Sequence, residues 1–201
     1  PALQKSRIVL AMDSPWSATF RQRFARLKIG SYIDRLDGIF VPGERGFIFA
    51  KHLGMPEARI FRGMLGYDAS HFETALAQRA AGPWPKSFVY MGRYAAQKGL
   101  DVLTAGYARY RQSVSDPWPL HCHGSGPAQA LLEKQAGIVV HPGVQPADQP
   151  NVLAKQGVFL LTSHTEPWAI AVGEAMASGL PAICTQAVGA VADLISPYYN
   201  G

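Results

Sequence analysis

The sequence of 201 residues predicts an α/β protein with parallel sheets, arranged in two domains. After residue 86, short apolar runs alternate with longer segments of helical pattern, which is typical of βαβ units. Several runs, such as Val158-Phe159-Leu160-Leu161, are continuously apolar, as expected for strands buried on both faces of a sheet. The stretch Ala-Ala-Gly-Pro-Trp-Pro at 80–85 interrupts the pattern and predicts a linker between the domains.

The second domain is predicted to contain five strands with four helices between them. The predicted strands are Ser87–Met91, Pro119–Cys122, Gly137–His141, Gly157–Leu161 and Pro181–Cys184. The predicted helices are Gly99–Ser113, Pro127–Gln135, Pro146–Lys155 and Pro167–Ser178. The part before the linker has a similar pattern with fewer elements, namely strands at Arg7–Met12, Gly38–Val41 and Arg59–Arg62 and a helix at Gly43–Leu53.

Composition excludes several classes of protein. A hydrophobic fraction of 48% argues against disorder, and no apolar run is long enough to span a bilayer. The two cysteines, Cys122 and Cys184, cannot form a disulfide framework, so we expect a reduced, cytoplasmic protein. The net charge of +5 lies entirely in residues 1–60, which hold ten Lys and Arg against five Asp and Glu. This excess indicates either an anionic partner or a solvated basic face.

The stretch Trp16–Lys28 has the pattern of a basic amphipathic helix. Its apolar residues recur at helical spacing, and Arg and Lys occupy most of the remaining positions. We favour a helix that packs its apolar stripe on its own sheet. The alternative is a helix that lies on an anionic membrane and gives the protein a peripheral membrane location.

Ligands of parallel sheets bind outside the carboxyl ends of the strands, so the residues that follow each strand are candidates for a site. Gly92 and Arg93 follow one predicted strand, and Lys98 comes five residues later, a pattern suited to a diphosphate. The turn 123–127, His-Gly-Ser-Gly-Pro, only partly matches a dinucleotide-binding loop, and we interpret it as a turn. His121 and His123 are too few to form a metal site and are expected in the core or the crevice.

Two glutamates are associated with the predicted helix at Pro167–Ser178: Glu166 stands at its start, and Glu174 lies eight residues further along. The backbone N–H groups of Trp168, Ala169 and Ile170 are expected to be free for an anion at the start of this helix. Glu166 and Glu174 are expected on the same helix, about 12 Å apart along its axis. That separation is too long for paired-carboxylate catalysis but suits a ligand with a sugar at one end and a ribose at the other.

The segment from Glu166 to Glu174, continued by 175–181 (Ala-Met-Ala-Ser-Gly-Leu-Pro), resembles the E-x7-E segment of GT-B glycosyltransferases, and is most similar to retaining family 4. Other segments resemble the same enzymes in the same order: 88–99 the phosphate loop, 124–127 a glycine turn, and 137–143 the strand and loop that hold the nucleobase. Before the linker, Pro42-Gly43, 53–56 and 66–68 resemble the end of an acceptor domain.

The resemblance implies a GT-B fold of two Rossmann-like domains with parallel sheets, of which this chain would be an excerpt. Residues 1–80 would be the last part of the acceptor domain, 81–86 the linker, and 87–201 a donor domain without its last elements. It implies an enzyme of class EC 2.4, a hexosyltransferase that moves a sugar from a nucleotide-sugar to a carbohydrate or lipid-linked acceptor with retention. Neither a cofactor, a metal nor a nucleic acid is expected.

The resemblance also implies roles for individual residues. Arg93 and Lys98 would bind the diphosphate, and Glu166 would hold the sugar hydroxyls; these three are the expected catalytic residues. Glu174 would hold the ribose. The full expected donor site is Gly92, Arg93, Lys98, Gly124, His141, Gly143, Glu166, Trp168, Ala169, Ile170, Ala171 and Glu174.

Departures from the family pattern keep alternatives open. Ser125 replaces an acidic residue, Thr162 a proline, and Ala169 the glycine that usually touches the sugar. The alternatives are a non-catalytic nucleotide-sugar binding module, or a sugar-nucleotide epimerase of the same architecture. Since part of the family's fold is expected to lie outside this sequence, we expect weak nucleotide binding and poor transfer by the chain alone.

Overall fold

The computed structural model describes residues 6–201 and confirms an α/β protein with parallel sheets. The chain divides into two compact units between Gly66 and Tyr67, and each unit contains one sheet. Within residues 6–201, no helix is both long enough and apolar enough to cross a membrane.

The first unit contains a sheet of three parallel strands in the order β1-β2-β3. The strands are β1 (Val9–Ala11), β2 (Gly38–Val41) and β3 (Ile60–Arg62), and the helices are α1 (Phe20–Arg23), α2 (Ala25–Ile33) and α3 (Glu44–His52). The middle strand β2 carries Ile39 and Val41, which are fully buried and pack with Ile33, Ala50 and Leu53. The predicted strands and the helix at Gly43–Leu53 are therefore confirmed.

The favoured expectation for Trp16–Lys28 is wrong. Trp16 is partly buried against the core, but Phe20, Phe24 and Leu27 are exposed. The reason is that α1 ends at Arg23, and that α2 buries Gly30 and Ile33 instead of the predicted stripe. The apolar stripe of this segment therefore faces away from the sheet of its own unit.

The second unit contains a sheet of five parallel strands in the order β6-β5-β4-β7-β8. The strands are β4 (Phe88–Met91), β5 (Leu120–His123), β6 (Ile138–His141), β7 (Val158–Leu161) and β8 (Ala182–Cys184). The helices are α4 (Glu73–Ala80), α5 (Leu100–Ser113), α6 (Gln129–Glu133), α7 (Gln149–Ala154), α8 (Ile170–Ala177) and α9 (Val191–Leu194). All five predicted strands are confirmed. The apolar residues of the central strands are largely buried, whereas Val139 of β6 and Ile183 of β8 are exposed at the two edges of the sheet.

The strand order makes this unit a doubly wound sheet. The central strand β4 pairs with β5 on one side and with β7 on the other, so the direction of winding reverses there. Such a reversal creates a crevice outside the carboxyl ends of the strands. Val89, Leu120 and Phe159 of the central strands are buried and pack with Leu103 of α5 and Val172 of α8. The core thus fixes the strand ends that border the crevice.

The division between the units precedes the predicted linker 81–86, which lies between α4 and β4. Residues 67–80 belong to the second unit because α4 packs on α7. Arg79 of α4 is buried; it donates a hydrogen bond to the carbonyl of Gln156, and its guanidinium lies 4.2 Å from the ring centre of Trp84. The linker tryptophan is therefore attached to the second unit.

Candidate functional site

A pocket of about 370 Å³ opens at the carboxyl ends of β4, β5 and β6, at the crevice of the doubly wound sheet. It is lined by the residues that directly follow these strands and by one side of α8. The lining residues are Met91, Gly92, Arg93, His123, Gly124, Ser125, Gly143, Val144, Gln149, Ala171 and Glu174. This is where ligands of doubly wound sheets bind.

Glycine lets two of the lining loops touch. Gly124 has a φ of 156°, and a Cβ atom there would lie 2.0 Å from the carbonyl oxygen of Gly92. Tyr94 lies in the loop after β4, and its hydroxyl donates a hydrogen bond of 2.7 Å to the carbonyl of Cys122 in β5. The loops after β4 and β5 are therefore held together, which narrows this side of the pocket.

Close contact also joins the loop after β4 to the loop after β7. Gly99 precedes α5 in the left-handed region with a φ of 63°, and a Cβ atom there would lie 1.9 Å from the carbonyl oxygen of Thr162. The Thr162 hydroxyl donates to the carbonyl of Gly99 at 2.8 Å. This contact brings Lys98, which is predicted to bind the diphosphate, next to the loop that carries Glu166.

Lys98 and Glu166 form an ion pair with each other, in which Lys98 Nζ donates to Glu166 Oε2. Both side chains are mostly buried, with exposed fractions of 17% and 13%. The Ser163 hydroxyl also donates to Glu166 Oε2, at 3.4 Å. Two residues predicted to contact different parts of a donor therefore neutralise each other.

Glu174 is arranged differently. Its carboxylate lines the pocket and forms no hydrogen bond or ion pair with another side chain of residues 6–201. Burial raises the pKa of this carboxyl group, and the nearby His71 opposes the rise. A partly desolvated carboxylate that faces a pocket is suited to accept hydrogen bonds from hydroxyl groups of a ligand.

His71 is a residue that sequence reasoning missed. It lies in a 3₁₀ turn at Ala69–Phe72, and its Nε2–H donates to the carbonyl of Pro146 at 2.9 Å. It thus ties the segment that follows Gly143 and Val144 to the turn beside Glu174. The sequence carried no signal for this role, because His71 precedes the predicted linker and belongs to no motif.

Helix α8 begins later than predicted, at Ile170 instead of Pro167. The preceding residue, Ala169, has a φ of 81° and lies in the left-handed region, which ends the non-helical segment. The amides at the start of this helix are therefore those of Ile170 and Ala171, and not those of Trp168 and Ala169. Ala171 lines the pocket, so the start of the helix does face it.

Glu166 is consequently not on the same helix as Glu174. It precedes α8, forms a parallel bridge with Val188, and accepts a backbone hydrogen bond of 2.9 Å from Gly189. The predicted separation along one helix axis is therefore wrong. The two glutamates belong to separate elements that β7 and α8 position independently.

Three histidines stack beside the pocket. His121 Nδ1 and His141 Nε2 are hydrogen-bonded at 2.9 Å, and the rings of His123 and His141 are 4.4 Å apart and nearly parallel. Burial lowers the pKa of His123 to about 4, helped by the other two imidazoles, and burial also lowers the pKa of His121. Residues 6–201 hold no group of three His, Cys, Asp or Glu arranged to bind a metal ion.

The predicted donor site is thus divided between three places. Six predicted residues line the pocket: Gly92, Arg93, Gly124, Gly143, Ala171 and Glu174. His141 lines a second cavity of about 400 Å³, together with His121, His123, Asp148 and Lys155. The remaining residues, Lys98, Glu166, Trp168, Ala169 and Ile170, belong to the loops after β4 and β7 and to the start of α8.

Doubly wound topology, glycine-closed loops and a pocket at the winding reversal define a Rossmann-like ligand-binding domain. Residues 73–201 match the glycosyl transferases group 1 family, and the chain belongs to that family. It is also 32% identical over 113 residues to the putative teichuronic acid biosynthesis glycosyltransferase TuaC of Bacillus subtilis (strain 168). That alignment covers 56% of this chain but only 27% of the relative.

Solved structures share the fold at low sequence identity. The pneumococcal O-GlcNAc transferase GtfA, crystallised with UDP and GlcNAc, matches with a TM-score of 0.72 and 17% identity, over 97% of this chain and 40% of its own. Anabaena Alr3699/HepE, crystallised with UDP and glucose, matches with a TM-score of 0.67 and 15% identity, over 94% of this chain and 55% of its own. The predicted GT-B fold is thereby confirmed.

Proposed function

We propose that this chain carries the donor site of a retaining glycosyltransferase of family 4. The enzyme would transfer a hexosyl group from a nucleotide-sugar, such as a UDP- or GDP-sugar, to a carbohydrate or lipid-linked acceptor. Membership of the glycosyl transferases group 1 family supports this proposal, as do structural neighbours crystallised with UDP and a sugar. The free thiols Cys122 and Cys184 support a reducing, cytoplasmic location.

The observation that carries the proposal is the position of Glu174. Its unpaired carboxylate lies in one pocket with Arg93 and with the glycine loops after β4, β5 and β6. A carboxylate can accept from two neighbouring hydroxyl groups, which a ribose offers, while the guanidinium of Arg93 complements a diphosphate. The pocket therefore has complementary groups for the two polar parts of a nucleoside diphosphate.

Stabilisation of the negative charge on the leaving nucleoside diphosphate would lower the barrier to the reaction. As the bond between the sugar and the diphosphate breaks, negative charge grows on the departing phosphate oxygens. Arg93, Lys98 and the amides of Ile170 and Ala171 are the positive groups suited to stabilise it. Glu166 would hold hydroxyls of the transferred sugar, and this requires that the donor separate Glu166 from Lys98. Retention and the hexosyl specificity rest on the E-x7-E resemblance.

Calorimetric titration of UDP, GDP and ADP into the chain and its Glu174→Ala variant tests the donor site. We expect one nucleotide to bind, and we expect the variant to lose at least about tenfold in affinity, since a charged hydrogen bond is removed. Glu73→Ala is the matched control, because Glu73 is an exposed carboxylate at the start of α4. Equal binding by all three proteins, or no binding to a folded chain, would count against the proposal.

The stereochemical part needs a separate test. With the donor sugar in the α configuration, NMR coupling constants of the first product formed report its anomeric configuration. An α product supports retention, and a β product contradicts it even if the nucleotide binds as expected.

A further inference from the structure

An exposed apolar face lies on α1 and α2 of the first unit. Phe20, Phe24 and Leu27 form this face, and the exposed fractions of Phe20 and Leu27 are 78% and 84%. Phe20 begins α1, Phe24 lies between α1 and α2, and Leu27 lies in the first turn of α2. The ring centres of Phe20 and Phe24 are 4.7 Å apart. Three large apolar side chains within eight residues of the chain are thus exposed to solvent.

Positive charge surrounds this face. Arg21, Arg23 and Lys28 are exposed, and residues 16–28 contain no Asp or Glu. A fourth cation, Arg26, is neutralised by an ion pair of 2.8 Å with Asp34. The three remaining cations stand among the three apolar residues along the segment, so it is both apolar and basic.

The segment is held to its unit by other residues. Ile33 and Gly30 of α2 are buried, and Arg26 Nη1 donates to the carbonyl of Leu53 at 2.7 Å. The Thr19 hydroxyl accepts a hydrogen bond from the N–H of Gln22 at the start of α1. Within residues 6–201, the packing of the first unit therefore does not use the three apolar side chains, which stay exposed.

We propose that this face binds the surface of a membrane rich in anionic lipid. A helix that combines exposed Phe and Leu with flanking Arg and Lys gains from both the acyl region and the anionic headgroups. The charge complementarity excludes a neutral bilayer as the preferred surface. A nucleic acid would satisfy the cations but would leave the apolar side chains without a partner.

Co-sedimentation of the 201-residue chain with lipid vesicles tests this proposal. One set of vesicles contains phosphatidylglycerol and phosphatidylcholine in equal parts, and the other contains phosphatidylcholine alone. We expect the chain to bind the anionic vesicles at least about tenfold more strongly, since each cation near the surface adds to the affinity. High salt should reduce this preference because it screens the charges.

Two pairs of variants separate the apolar from the basic contribution. Phe20→Ser with Leu27→Ser should lower binding to anionic vesicles by about tenfold or more, since two large apolar side chains no longer enter the interface. Arg21→Gln with Lys28→Gln should lower it about fivefold to tenfold. The matched controls are Val102→Ser with Leu131→Ser, and Lys86→Gln with Lys134→Gln, all exposed residues of the second unit.

Urea unfolding of each variant first checks that its free energy of unfolding equals that of the unaltered chain. Binding that Phe20→Ser with Leu27→Ser leaves unchanged, or that the controls reduce equally, would overturn the proposal. So would a chain that is folded but binds no vesicle. Concentration-dependent dimers that the Phe20 and Leu27 variant abolishes would assign the face to a second copy instead. None of these outcomes depends on nucleotide binding, so the proposal of a donor site and the proposal of a membrane-binding face can be refuted independently.

Discussion

The two ends of the segment Glu166–Glu174 hold their carboxylates in opposite ways. Glu166 is paired with Lys98 in a mostly buried contact, whereas Glu174 lines the open pocket without an ion pair among residues 6–201. In sequence the two residues are equivalent, eight positions apart and of the same type. Their difference arises from the surrounding loops, because Gly99 brings Lys98 to Glu166, while no cation of residues 6–201 lies within hydrogen-bonding distance of Glu174.

This difference means that the carboxylate of Glu166 already has a paired counter-charge, whereas the carboxylate of Glu174 has none among the side chains of residues 6–201. In the proposed donor site, a ligand at Glu174 would replace lost solvation of a carboxylate, whereas a ligand at Glu166 would have to replace an existing ion pair. Replacement of the carboxylate by an amide should therefore lower the stability of the chain at Glu166 and raise it at Glu174.

The largest effect is expected at the ion pair. Glu166→Gln and Lys98→Met each leave one partner mostly buried without its counter-charge, so each should lower the free energy of unfolding by about 3 kcal/mol. Urea denaturation measures this change. The control Lys51→Met breaks an exposed pair of 2.9 Å with Glu57 and should cost less than about 1 kcal/mol. Equal losses in all three variants would show that the Lys98–Glu166 pair is not special.

The next effect concerns pH and the histidine stack beside the pocket. His123 has a pKa of about 4 in the folded chain, below its ordinary value of 6.5, because burial and the imidazoles of His121 and His141 disfavour its charge. The unfolded chain therefore takes up the proton first, and stability should fall as the pH decreases from about 6.5 to 4. The loss should approach about 3 kcal/mol.

Asp148 and Lys155 line the cavity at this stack and bear opposite charges, so they do not alter the direction of the effect. The variant His123→Phe keeps an aromatic ring and removes the titration, and its stability should depend less on pH in this range. A wild-type chain whose stability is constant between pH 6.5 and 4 would contradict the prediction.

A smaller effect of opposite sign is expected at Glu174. Glu174→Gln should raise the free energy of unfolding by about 1 kcal/mol at pH 7, because it removes a desolvated, unpaired charge. Because folding raises the pKa of Glu174, it is the charged form of this carboxyl group that destabilises the folded chain. The stability gained by Glu174→Gln should therefore vanish as the pH falls below 4.5, the ordinary pKa of a glutamate. Glu133→Gln is the control, since Glu133 accepts a hydrogen bond of 2.7 Å from Gln129 at the surface. A loss of stability in Glu174→Gln would contradict the contrast.

The smallest effect is expected at Ala169, between the two glutamates. A non-glycine residue is strained at a φ of 81°, so Ala169→Gly should stabilise the chain by about 0.5–1 kcal/mol. Ala177→Gly, at the end of α8, should instead cost about 0.5–1 kcal/mol, as glycine does in a helix. Thermal unfolding distinguishes the two signs, and destabilisation by both variants would exclude strain at Ala169.

Much of the fold was predictable because strong local patterns coincide with it. The predicted apolar runs are strands in the structure, and a central strand such as β7, which carries Phe159, is largely buried because helices cover both faces of a parallel sheet. The glycine loops after β4 and β5 could also be placed at the pocket, because ligands bind at the carboxyl ends of strands. The place where the units separate was less apparent from the sequence. The Pro and Gly residues at 82–85 indicated a linker, but Trp84 packs on Arg79 of the second unit, and the units divide between Gly66 and Tyr67.

By itself, the sequence determined the class of fold and the order of its strands and helices. It also singled out Glu166 and Glu174 as candidate site residues. Tertiary structure decided that α8 begins after Ala169, that Lys98 neutralises Glu166, and that His71 lies beside Glu174. It also decided that Phe20 and Leu27 face outward. The physical reason is that periodic patterns report which residues can be buried, whereas charge pairing and exposure depend on loops that meet from distant parts of the chain.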